Sequence, residues 1–254
     1  MRINLNADLG EGFGQWRMGD DAAMLDIVAS ANIACGGHAG DPDTMRRTVR
    51  LAKERGVSIG AHPSYPDLQG FGRRPMQLST IELENQLAIQ IGSLVAIAAL
   101  ESTHVTHVKP HGALNNIACV DRQIADTICR VMRTINPALI LLAPAGSQLV
   151  IAGRSAGLKV VEEIFADRAY MSDGQLKPRS QPGAMIHGPA ACLAHVLAML
   201  DAGALIAWDG TRIAAPLGSI CVHGDGPDAI DVAGHLRKQL SACGHQIFPL
   251  TEIA

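Results

Sequence analysis

Five times along this chain a short apolar run ends in a cluster of residues able to do chemistry. Ile3-Asn4-Leu5-Asn6-Ala7 leads into Asp8-Leu9-Gly10-Glu11-Gly12, and the run 29–35 into Gly36-Gly37-His38-Ala39-Gly40-Asp41. The run 57–61 leads into His62-Pro63-Ser64-Tyr65, and 105–108 into Lys109-Pro110-His111-Gly112. Ile220-Cys221-Val222 leads into His223-Gly224-Asp225. Helix-like segments at 43–55, 79–102, 121–134, 146–156, 189–201 and 228–242 alternate with strand-like ones at 2–7, 29–35, 57–61, 104–109, 138–143, 158–163, 184–187 and 218–223. That rhythm predicts an α/β fold of parallel strands joined by right-handed crossovers. Closed into a barrel, the strands bring the five endings to one face, where enzymes of this architecture keep their active sites.

The 254 residues, 48% of them apolar, suit one such domain spanning 1–254, with no linker, repeat or low-complexity segment. A net charge of −3 without a basic patch, and only 3% aromatic residues, argue against nucleic acid as a partner. The six cysteines (35, 119, 129, 192, 221, 243) form no Cys-x-x-Cys pair and mostly sit in apolar surroundings, so they read as small buried hydrophobes. The first residues enter a strand without the charged and apolar regions of a secretion signal. The longest apolar stretch, 89–100, is interrupted by Gln90, Gly92 and Ser93 and reads as too short to span a bilayer. The expected location is the cytoplasm. Ser79 with Glu82 makes a capping box. Asp43 is a plausible cap for the second helix, with Asp41 as the alternative if that helix starts near Pro42.

Asp8 and Glu11 are close enough in sequence to push their pKa values apart and supply one acid and one base. Gly36-Gly37 before His38 suggests a tight bend whose N–H groups could meet an oxyanion. Pro63 fixes an extended conformation at His62. His107 and His111 have the spacing of a helical metal pair, but Pro110 and the strand-like surroundings keep them off a shared helix face. Lys109 and His111 read instead as site residues that hold a carboxylate or phosphoryl group. Arg168, beside Asp167, and Arg73 suit the same kind of anion. His223 is a candidate acid or base with Asp225 as its orienting carboxylate. The stretch 170–183 is rich in turn formers and longer than an ordinary connection, as lids and partner-binding loops are. No Gly-x-x-x-x-Gly-Lys-Ser/Thr loop is present, and Gly10-Glu11-Gly12-Phe13-Gly14 lacks dinucleotide spacing.

Seven segments in order along the chain resemble the LamB/YcsF family: 4–14 (Asn-Leu-Asn-Ala-Asp-Leu-Gly-Glu-Gly-Phe-Gly), 31–41, 60–67, 70–74, 108–115, 163–170 and 221–225. Members are A subunits of the bacterial three-subunit, ATP-dependent 5-oxoprolinase. The resemblance implies a distorted (β/α) barrel of about seven parallel strands, similar to polysaccharide deacetylase and glycosidase-like barrels. It also implies opening of the 5-oxo-L-proline lactam to L-glutamate, with companion B and C subunits using ATP and its Mg ion. On this reading Asp8, Glu11, His38, His62, His223 and Asp225 are the expected catalytic residues. Asn6, Gly37, Arg73, Lys109, His111, Asp167 and Arg168 are the expected substrate contacts. A metal-dependent amide or sugar deacetylase is the second reading, with Asp8, His38, His62 and His111 as available ligands; a bound divalent metal is left open but not favoured. A scaffold component that binds 5-oxoproline without cleaving it is the third. The oligomeric state is not set, and a homo-oligomer is left open.

Overall fold

A computed structural model describes residues 1–224, 226 and 228–254. Seven parallel strands form a closed barrel: β1 (Arg2–Leu9), β2 (Ser30–Ala34), β3 (Ser58–His62), β4 (His107–Val108), β5 (Ile140–Pro144), β6 (Lys159–Phe165) and β9 (Leu217–Val222). Each pairs with the next, and β9 returns to β1 to close the ring. A two-stranded antiparallel pair, β7 (Ala204–Ile206) with β8 (Arg212–Ala214), lies outside the barrel, and β10 (Gln246–Ile247) adds in parallel to β1. The barrel and its parallel strands agree with the expected fold class.

The packing follows the two-residue period of a strand. In β1, Ile3, Leu5, Ala7 and Leu9 face the surrounding helices, and Asn4, Asn6 and Asp8 lie on the other face, in the barrel lumen. Barrels of this type usually fill the lumen with branched apolar side chains; here it is polar. Asn4 Nδ2 donates to Ser30 Oγ (2.8 Å), Asn6 Nδ2 to Ser219 Oγ (2.8 Å) and Asn32 Nδ2 to Asn6 Oδ1 (2.8 Å). Such groups are tolerable in a dry interior because they are hydrogen-bonded. His107 belongs to this network through Asn32 (3.1 Å), and burial pushes its pKa down to about 3, which keeps the ring neutral. Gly60 on β3 faces it; a Cβ there would collide with the His107 ring.

Among the described residues, eight α-helices surround or flank the barrel: α1 (Asp21–Leu25), α2 (Pro42–Glu54), α3 (Thr80–Leu100), α4 (Gly112–Ala118), α5 (Arg122–Ile135), α6 (Gln148–Ser155), α7 (Pro189–Ala202) and α8 (Ala229–Ala242). The six long ones match expectation within a few residues, while the short α1 and α4 carry too few apolar positions to show a period. Asp41, not Asp43, caps α2: its carboxylate accepts from the N–H groups of Asp43 and Thr44. The Ser79–Glu82 capping box is present at α3.

Three expectations need correction. The 104–109 strand shrinks to two residues, although Lys109 N still donates to Ala61 O (3.0 Å) and His111 N to Pro63 O (2.9 Å), so the chain stays extended along β3. Residues 184–187 form no barrel strand. They fold back over the segment after β6, with Ala169 N donating to Ala184 O and Ile186 N to Asp167 O. The 89–100 stretch is part of α3, whose 21 residues are long and apolar enough to cross a membrane by length and composition. In this fold one face of α3 (Leu83, Leu87, Ile91, Leu94, Ala98) packs into the core, and the interrupting Gln90 is buried, clasping the Ser64 backbone with both amide atoms.

Candidate active site

At the C-terminal ends of β1, β2, β3, β4 and β9 the side chains of Asp8, His62, Lys109, His111 and His223 line a cavity of about 540 Å³, with His38 buried behind His111. Arg73, Arg168 and Arg179 stand on its walls. Lys109 is the anchor. Its Nζ donates to Asp8 Oδ1 (3.0 Å), Asn6 Oδ1 (3.3 Å) and Cys221 Sγ (3.0 Å), and it pairs with Glu163 Oε2 (3.2 Å). Burial alone would lower its pKa, but Asp8, Cys221 and Glu163 outweigh it, so the ammonium stays charged. Burial would likewise raise the Asp8 carboxyl; His62 and Lys109 reverse this and hold it well below the usual carboxylate range. Glu163 goes the other way, raised by burial that Lys109 only partly offsets.

A second cluster adjoins the first. His38 lies flat on His111, with ring centroids 3.8 Å apart and planes within 4°, and its Nε2 meets Glu11 Oε1 at 3.1 Å. His62 stands edge-on to both rings. His62 Nδ1 donates to Lys109 O (2.7 Å) and His111 Nε2 to Phe71 O (2.9 Å). Burial, followed by the positive charge that neighbouring histidines would carry, holds His38 and His111 well below the ordinary histidine pKa. The loop carrying Phe71 is bent to reach His111. Phe71 has φ +54°, rare for a bulky residue, and Gly72 (φ +63°) fits so closely against Ser64, His38 and His111 that no Cβ could be added.

A third group is His223, whose Nδ1 lies 2.8 Å from both Asp167 oxygens while its ring stacks on Phe165. Burial would lower the His223 pKa; Asp167 outweighs it and raises it, while His223 draws Asp167 down against the effect of burial. The sign of the resulting pH dependence follows. His223 gives its stability below its unfolded pKa of ~6.5 and loses it as pH rises through its higher folded value. Asp167 gives its share above ~3.9 and loses it as pH falls through its lower folded value. The stability margin of the wild type over His223→Gln, measured by urea unfolding, is therefore expected to be largest between about pH 4 and 6.5 and to shrink above that window. A margin that does not change with pH would refute the charged pair.

Of the expected site residues, Asp8, His62, Arg73, Lys109, His111, Arg168 and His223 line the cavity, and the other described ones lie behind or beside it. Asn6 lies beneath the cavity, its amide committed to Ser219, Asn32, Glu163 and Lys109. Gly37 sits where any side chain would strike the Gln90 amide. Asp167 faces His223, the place expected for Asp225, which lies outside the described residues. Arg168 Nη2 donates to Lys177 O (2.8 Å), and burial, then Arg179, lowers its pKa to about 10. Segment 170–183 reaches the site, with Gln175, Leu176, Pro178 and Arg179 on the cavity wall. Glu163, Asn32 and Cys221 were missed as site residues. The Glu162-Glu163 pair inside an otherwise apolar strand was the available signal for the first.

Residues 3–254 match the LamB/YcsF family. The chain belongs to the LamB/YcsF family. Among its relatives, the 5-oxoprolinase A subunit of Azoarcus sp. (strain BH72) is 54% identical over 253 residues, covering 100% of this chain and 99% of that one. The solved structure of a lactam utilization protein from Thermus thermophilus superposes with a TM-score of 0.92 at 42% identity, over 98% of this chain and 100% of that one. The catalytic domain of a peptidoglycan N-acetylglucosamine deacetylase from Eubacterium rectale ATCC 33656 superposes with a TM-score of 0.52 at 11% identity, over 100% of this chain and 90% of that domain, a likeness of fold alone. In this LamB/YcsF barrel, then, the polar floor and the arginine wall are features of the chain itself, and their chemistry follows from the geometry above.

Proposed function

We propose that this chain, as a single barrel domain in the cytoplasm, is the A subunit of an ATP-dependent 5-oxoprolinase and opens the lactam of 5-oxo-L-proline to give L-glutamate. The observation that carries this reading is the full-length likeness, at 54% identity, to a 5-oxoprolinase A subunit. A lactam carbonyl is a poor electrophile because attack must break amide resonance. Companion B and C subunits, with ATP and its Mg ion, would phosphorylate the carbonyl oxygen and so activate the carbon. The absence of a phosphate-binding loop motif from this sequence fits that division of labour.

The cavity is of the size that small-molecule sites have, with room for the lactam and a phosphoryl group. Arg73, Arg168 and Arg179, all on the cavity wall, suit the substrate carboxylate or the phosphoryl oxygens. Asp8 and His223 offer side-chain atoms within 4.8 Å of one another, and both line the cavity. Their surroundings push them apart in the sense an acid/base pair requires, with Asp8 ionised and His223 holding its proton. Water oxygen bonds to the carbonyl carbon as Asp8 takes its proton. The carbon–nitrogen bond then breaks, its electron pair goes to nitrogen, and His223 protonates the departing amine; a second water cleaves the acyl phosphate left behind, giving the side-chain carboxylate of L-glutamate and inorganic phosphate. Asp8 is the base in this reading rather than Glu11, which faces His38 and His111 and is not on the cavity wall.

Reconstitution with the B and C subunits, ATP-Mg and 5-oxo-L-proline, following glutamate and phosphate together, tests the assignment. Glutamate is expected only when this chain is present. An assembled complex that makes none would overturn it.

A further inference from the structure

Two of the buried histidines bring ring nitrogens together. His62 spends its Nδ1 proton on the Lys109 carbonyl and His111 spends its Nε2 proton on the Phe71 carbonyl. In their neutral forms this leaves a lone pair on His62 Nε2 and another on His111 Nδ1, and those two atoms are 3.0 Å apart. Further acceptors converge on the same point. Asp8 Oδ2 is 3.3 Å from His62 Nε2, and Glu11 Oε1 is 3.6 Å from His111 Nδ1. Lone pairs at this separation in a buried site repel unless something positive lies between them. One proton on His62 would satisfy either Asp8 or His111 with a straight bond, not both.

We propose that Glu11, His38, His62 and His111 form a binding site for a divalent transition-metal ion, with zinc as the representative. The four offer one donor atom each, all within 4.8 Å of one another, and all four side chains are buried. The donor set of imidazoles and one carboxylate suits zinc and its late first-row neighbours rather than calcium or magnesium, which prefer oxygen. On His62 and His111 the outer hydrogen bond has the form found behind metal-bound histidines, in which the far N–H is tied to a backbone carbonyl that fixes ring orientation and tautomer, whereas His38 Nδ1 is buried with no hydrogen-bond partner. The left-handed Phe71 and the tightly packed Gly72 hold one of those carbonyls in place, a strain the fold sustains at this site. Because His62 and His111 also line the cavity, an ion held there would polarise a carbonyl or lower the pKa of a bound water. The proposal rests on this geometry and not on the lactam reaction, so either can fail alone.

The test uses the isolated full chain carrying no histidine tag. Purified without chelator from zinc-supplemented medium, it is expected to hold close to one ion per chain by elemental analysis. Once stripped, it is expected to bind zinc chloride in calorimetry and to melt at a higher temperature when the ion is added. Glu11→Gln and His111→Gln, each near in shape to the original, should weaken zinc binding by at least about tenfold and lose the melting shift. His195→Gln, remote from the cluster, should keep both. A wild-type chain that takes up no ion, with nitrogen NMR finding both ring protons on His62, would overturn the proposal. So would zinc binding that both cluster variants retain in full.

Discussion

Replacing Asp8 by Asn is expected to lower glutamate formation by the assembled enzyme about 10²–10⁴-fold while the chain stays folded, since that is the usual worth of a positioned proton acceptor. Asparagine keeps the shape of the side chain and an oxygen for the bonds that Asn32 and Lys109 now give to Oδ1 (2.8 and 3.0 Å). It loses the charge, and with it the ability to take a proton from water. Lys109 retains Glu163 at 3.2 Å, so no ammonium is left buried without a counter-charge. Turnover, KM and melting temperature should be measured together. A fall in kcat with KM for 5-oxo-L-proline nearly unchanged is the expected pattern, because the arginines of the cavity wall are untouched. Near-normal turnover would remove Asp8 from the chemistry.

Lys109→Met should act on stability as well as activity. The ammonium is 2% exposed at the centre of Asp8, Glu163, Asn6 and Cys221. Removing one partner of a buried ion pair typically costs about 3–5 kcal/mol, because the other charge is stranded. For a chain of this size that corresponds to a fall in melting temperature of roughly 6–20 °C. Lys109→Met combined with Glu163→Gln should recover part of the stability, since one stranded carboxyl is neutralised, yet no activity. If the double variant is no more stable than the single one, Lys109 does not balance Glu163 in the way described.

The barrel was legible because its signals are local. Apolar runs, Pro110 and the Ser79–Glu82 box each act within a few residues, and the polar endings mark the strand termini one by one. The division of labour within the site was not legible. The sequence offers Asp225, two residues on, as the partner of His223, and only the end of β6 lying beside β9 brings Asp167 to it. The polar lumen was half visible, since Asn4-x-Asn6-x-Asp8 keeps a strict period of two, but treating 3–7 as an apolar run hid it. Gly37 and Gly60 read as turn or strand residues, whereas their reason is a side chain from a distant element, Gln90 in one case and His107 in the other. The return of 184–187 over the rim depends on pairing with 167–169, which no local pattern encodes.

The closure of β1 against β9 also sets a timetable. Asn4 and Ala7 of the first strand meet Ser219 and Val222, and Phe248 N donates to Ile3 O. At ribosomal speeds of about 5–20 residues per second, β1 waits on the order of ten seconds or more for its neighbour to be made. Through that interval it is an edge strand carrying a row of unpaired amides, the kind of surface that recruits the wrong chain. Asn4, Asn6 and Asp8, the polar face that later serves the cavity, make that waiting strand a poorer template for aggregation than an all-apolar one would be.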